Sequence, residues 1–279
     1  MKRVLLPVDF SNNSWNAVFT ASKLYREEQC TFLLLNSYEP KFVNILGAKS
    51  KERIGVILDS LAINSRLQLE KMLAYFKINN LNEKHCFETK STANDLVKAI
   101  TEALKERTYD LVVMGTKGAT GAKEVYMGSK TVKVIKKVHT CSILAVPETY
   151  DLKSLDALVF PTDFKHEFKI AQFVLLKELV NVWKTKINIL QIIGRYSLSG
   201  IQKMNKIWLN KSLDDVEHEF VEEPIWNNVA DGIISWVENN KVDLIVLIHY
   251  RHTFFEQLTR EPVIKRIGFH TKLPLLILN

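Results

Sequence analysis

The stretch HCFETKSTANDLVKAITEALKERTYDLVVM, residues 85–114, returns as HEFVEEPIWNNVADGIISWVENNKVDLIVL, residues 218–247, with no gap. Each copy reads as a short strand, a polar turn, a helix of 3.6-residue spacing and a second, wholly apolar strand. A repeat of this length implies a repeated structural unit, and it decides how the rest of the chain is read. Outward from it, LLPVDF at 5–10 returns as VFPTDF at 159–164, and VHTCSILAV at 138–146 returns as FHTKLPLLIL at 269–278. The chain therefore divides into two tandem domains, 1–150 and 151–279, joined around PETYDLKSLD, where a proline and polar residues separate two apolar runs. The second copy is 21 residues shorter between its second and third strands.

Within the first copy, strands and helices alternate. RVLLPVD and TFLLLNS are strands flanking a helix over NSWNAVFTASKLYREEQ, in which Trp15, Val18 and Phe19 carry the apolar spacing. A long helical segment around 55–78 leads to strand KHCFET and helix ANDLVKAITEALKER, with Ser91 and Thr92 at the expected N-cap. DLVVMG, a glycine loop, helix KTVKVIKKV and strand SILAV complete the copy. Continuous apolar strands alternating with helices predict a mostly parallel sheet covered on both faces. The expected fold is α/β, a doubly wound parallel sheet made twice.

Composition narrows the function. With 47% apolar and 25% charged residues, the chain has the makeup of a soluble globular protein. No apolar run approaches the roughly 18 residues of a membrane span, and the first apolar stretch breaks at Asp9, too early for a secretory leader. Cys30, Cys86 and Cys141 have no metal-site spacing and read as three buried thiols in a reducing cytoplasm. The net charge of +7 is unevenly placed: 22 Lys and Arg face 15 Asp and Glu up to Tyr150, and 16 face 16 beyond it. Six lysines but only one acid, Glu124, lie between Gly115 and Lys137. So local an excess points to a bound anion. A nucleic-acid partner calls for an extended basic stripe, and neither it nor a membrane partner is expected.

That excess surrounds MGTKGATGAKEVYMGSKT, residues 114–131, which contains four of the ten glycines. It leaves the carboxyl end of a strand, where open α/β sheets bind ligands. Glycines there permit positive φ and close approach of backbone amides. Gly128 and Ser129 precede a helix from Lys130, whose free N–H groups and positive end suit a phosphate, and the hydroxyls of Ser129 and Thr131 add donors. The spacing is G-x2-G-x9-G-[ST], through Gly115, Gly118, Gly128 and Ser129, and is neither a P-loop nor G-x-G-x-x-G.

This glycine pattern, together with PVDFS at Pro7–Ser11 and LLNS ending strand two, resembles the universal stress protein family. The resemblance spans nearly the whole chain. It implies two Rossmann-like, adenine nucleotide alpha hydrolase-like domains packed as a pseudo-dimer through SILAV and PLLIL, with further homodimerisation open. It also implies an adenine nucleotide, ATP or AMP, with Mg possible beside ATP. Asp9 and the Pro7–Val8 backbone would then hold adenine and ribose, with Ser37 lining the pocket and Met114 and Gly115 beneath the ribose. Lys117, Gly118, Gly128, Ser129, Lys130 and Thr131 would surround the phosphates. In the second copy Ile248, Arg251 and Glu261–Pro262 replace Gly115, Gly118 and Gly128–Ser129, so no nucleotide is expected there. Asp163 alone reads as a structural cap, and His249 as a loop residue or a contact to the other copy. The functional expectation is a non-enzymatic, cytoplasmic stress-response or regulatory protein. A slow ATPase and a scaffold without nucleotide are the alternatives.

Overall fold

The computed structural model describes residues 1–39, 49–79, 82–117, 127–193, 197–224, 228–249 and 272–279, with side chains of the second helix described from residue 54. The first half supplies strands β1 (Lys2–Pro7), β2 (Cys30–Ser37), β3 (His85–Thr92), β4 (Leu111–Gly115) and β5 (Ile143–Val146). The second supplies β6 (Ala157–Pro161), β7 (Lys186–Ile193), β8 (His218–Pro224), β9 (Leu244–Ile248) and β10 (Leu275–Leu278). All ten join one sheet in the order β3-β2-β1-β4-β5-β10-β9-β6-β7-β8. Pairing is parallel within each half. The halves meet antiparallel, β10 on β5, with Leu276 opposite Leu144.

Helices α1 (Asn12–Leu24), α2 (Lys49–Asn79), α3 (Leu96–Glu106), α4 (Ser129–Lys137), α5 (Ile170–Trp183), α6 (Gly200–Ser212) and α7 (Val229–Asn239) cover both faces. Val18, Leu69, Phe173 and Leu209 place α1, α2, α5 and α6 over one core. Ile100, Ile135 and Ile233 place α3, α4 and α7 over the other. The doubly wound α/β expectation is met: β4, β5, β9 and β10 are buried along their whole length, as strands covered on both faces must be. The edge strands β3 and β8 are only partly covered.

Three local expectations change. Ser91 and Thr92 do not cap α3; they continue β3, opposite Asn36 and Ser37, and Asp95 accepts from Val97 and Lys98 as the cap instead. Cys86, on the sheet edge, is exposed, whereas Cys30 and Cys141 are buried thiols whose burial pushes their pKa up to about 12. The repeat also carries a slip. Strand registers align Val4, Phe32 and Phe87 in one row and Leu158, Ile187 and His218 in the other. Phe87 thus matches His218, while Leu111 still matches Leu244, so the second half has two more residues between these strands. The missing length lies at the second helix, 31 residues in α2 and 13 in α6.

Candidate functional site

At the carboxyl ends of β1, β2 and β4 the chain opens a narrow cleft. Nine residues singled out in the sequence line it: Pro7, Val8, Asp9, Ser37, Met114, Gly115, Lys117, Lys130 and Thr131. Ser14 and Leu96 join them. Gly128 and Ser129 stand at the start of α4 and are not part of this lining. Gly118, like Arg251, Glu261, Pro262 and His270, lies outside the described residues, as does His252, whose i, i+3 spacing from His249 could suit a metal but brings no third ligand in the sequence.

The β1 side of the cleft is set by a turn. Asp9 Oδ1 accepts the amide of Ser11 at 3.2 Å and its hydroxyl at 2.5 Å, while Ser11 Oγ caps α1 by accepting from Ser14. Between them Phe10 takes the left-handed conformation at φ 65°, uncommon for a bulky side chain. The second half repeats the turn without the serine cap: Asp163 Oδ1 accepts the amide of Lys165, and Phe164 sits at φ 56°. The aspartate–phenylalanine pair therefore builds the turn in both halves.

Val8 is held by a buried polar network. Asn36 Nδ2 donates to its carbonyl at 2.7 Å, Asn36 Oδ1 accepts from Ser65, and Ser65 meets Ser91, both at 2.7 Å. The asparagine that ends the otherwise apolar FLLLN, residues 32–36, was the signal for this network. Ser65 gave none, lying on the distant α2.

The glycine side follows a different logic from the one the spacing suggested. A Cβ on Gly115 would lie 2.3 Å from Asn13 Oδ1. Asn13, on α1, accepts the amide of Lys117 at 2.8 Å and donates to Val146 O at 3.0 Å. Gly115 is thus glycine because α1 passes close by. Gly128 is extended at φ −71°, a conformation open to any residue, and no side chain caps the helix it precedes. Its amide donates to Thr116 O at 2.6 Å. Thr131 is buried, and its hydroxyl faces the carbonyls of Gly115 and Thr116 at 3.0 and 3.2 Å. That hydroxyl ties α4 to the end of β4. Lysines 130, 133, 136 and 137 all lie on α4, which has no acid.

In the second half, Ile248 takes the place of Gly115 and is buried. His249 stacks at a tilt on His139 across the joint, ring centroids 4.3 Å apart.

The universal stress protein family model matches residues 1–147, more than half of the chain. The protein belongs to this family. Among related universal stress proteins, MJ0531 of Methanocaldococcus jannaschii is 25% identical over 146 residues, 52% of this chain and 81% of its own. The universal stress protein from Archaeoglobus fulgidus shares the fold over 99% of this chain and 97% of its own, at 13% identity and TM-score 0.71. A functionally unknown protein, PA1789 of Pseudomonas aeruginosa, matches 100% and 92% at 10% identity and TM-score 0.58. At these identities the structural likeness speaks for the fold of this universal stress protein and nothing finer. No helix among the described residues is long and apolar enough to cross a membrane.

Proposed function

We propose that this universal stress protein binds an adenine nucleotide, ATP or AMP, in the cleft of a first domain, 1–150. The reading rests above all on the convergence of Asp9 and Ser37 with Lys117 and Lys130 on one cleft at the sheet's carboxyl end. Phosphates need cations and free amides, which Lys117, Lys130 and the uncapped start of α4 supply together. Pro7, Val8, Met114 and Leu96 offer apolar surface to a purine and its sugar, and Asp9 faces the ribose hydroxyls. Gly118, Gly128 and Ser129 complete the phosphate loop in this proposal. Mg with ATP belongs to the same proposal.

We read the protein as a cytoplasmic regulator rather than a hydrolase. Phosphoryl transfer needs a group that orients the attacking nucleophile. Among the described residues Asp9 is the one carboxylate lining the cleft, and its Oδ1 is committed to Ser11. The second domain, 151–279, binds no nucleotide in this reading, because Arg251 and Glu261–Pro262 replace Gly118 and Gly128–Ser129, putting a long side chain and an acid where the phosphate loop needs backbone amides, and Pro262 has none to offer.

Titration calorimetry of the full chain with ATP and AMP tests this. We expect saturable binding, lost on Lys117→Ala with Lys130→Ala in a chain of unchanged circular dichroism. Absence of binding by the natural chain at millimolar nucleotide defeats the proposal, and so does affinity that survives both substitutions.

A further inference from the structure

Helix α1 carries two asparagines, about one turn apart, that hold backbone at the end of β4 and beyond the end of β5. Asn13 is 2% exposed and joins the amide of Lys117 to the carbonyl of Val146. Asn16 Nδ2 donates to Pro147 O at 2.9 Å and to Tyr150 O at 2.8 Å. Farther along the same helix Lys23 closes on Asp151 at 2.6 Å. One rigid element thus grips the entry of the glycine loop and the segment 146–151 by which the chain leaves β5 for β6.

We propose that α1 couples occupancy of the cleft to this connecting segment, through Asn13 at the loop and Asn16 at the connection. The inference rests on the nucleotide reading and adds its regulatory output. Lys117 is the hinge of the device: its side chain lines the cleft while its amide belongs to Asn13. A ligand that immobilises Lys117 removes openings of the Asn13 clasp. Because α1 moves as a unit, it removes openings of the Asn16 clasp as well. The coupling works through restricted motion and needs no change of mean structure. It is reciprocal, so loosening the connection weakens nucleotide binding by the same factor.

Hydrogen exchange of the full chain, with and without saturating ATP, paired with calorimetry, tests the coupling. In the natural chain ATP should slow amide exchange in 147–151 about fivefold, within the usual range of coupling between sites. Asn16 bonds Pro147 and Tyr150, and none of these three lines the cleft among the described residues, so Asn16→Ala and the shape-preserving Asn16→Asp should still bind ATP, with affinity lowered by no more than that factor. Both should lose the protection of 147–151 while keeping protection around Lys117. If one variant is too unstable to measure, the other decides. Binding by the natural chain with no effect on 147–151 overturns the inference, as does full protection in either variant. No binding by the natural chain overturns the nucleotide proposal itself.

Discussion

Gly115 shows how one atom's absence can serve the scaffold. Its missing Cβ makes room for the Asn13 side chain, not for a ligand. Adding a methyl group there forces α1 away from β4, and overpacking of this kind costs typically 1–3 kcal/mol. Gly115→Ala should lower the urea midpoint accordingly. Asn13→Ala in the same chain should recover part of the loss, which a double-mutant cycle measures. Asn13 itself was not legible: nothing in NNSWNA distinguishes the asparagine that meets a strand one hundred residues away from one that faces water. Asn36 was half-legible, as a polar residue inside an apolar strand. Lys117, Lys130 and Asp9 came from the family resemblance, whose motifs lie in short local stretches of the chain. Gly128 stands at the start of α4, outside the cleft lining, and its backbone does not use the positive φ expected of it.

Among elements, the helix starts separate what local sequence encodes from what neighbours impose. Ser91, Thr92 and Asp95 are all good capping residues, and only the partner strand decides between them. β2 runs to Ser37, so β3 follows to Thr92 and the cap moves to Asp95. Where β3 begins, His85 ties this strand to α1 through Ser22 Oγ at 3.2 Å and Tyr25 O at 3.0 Å. Burial disfavours its imidazolium and lowers its pKa from 6.5, outweighing the hydrogen bond to Tyr25 that raises it. The unfolded chain therefore takes up this proton first. The stabilisation is complete above pH 6.5 and is lost as pH falls through the interval down to the folded value. Denaturation midpoints measured from pH 8 to pH 5 should fall less steeply in His85→Asn than in the natural chain.

For the whole molecule, the repeat made the fold legible, and pairing registers then corrected its alignment by two residues. A gapless sequence match could not show that slip, since His218 resembles His85 in type and not in position along the ladder. The halves share the joint of β5 and β10, where Leu144 and Leu276 face each other in full burial or nearly so. Leu276→Ala should cost 2–5 kcal/mol, the range for a buried leucine, and both halves should lose stability together in chemical denaturation. Neither Leu144 nor Leu276 lines the cleft, so the variant should keep the ligand affinity proposed for it.

That antiparallel joint also gives the molecule two opposed rims. Strands of the first half end at one rim, where the cleft opens, and strands of the second half end at the other, where His249 meets His139. A surface or protein that grasps the second rim leaves the mouth of the cleft facing solvent. The two carboxyl rims thus face opposite ways, and whatever enters the cleft does so from the side away from the His249–His139 contact.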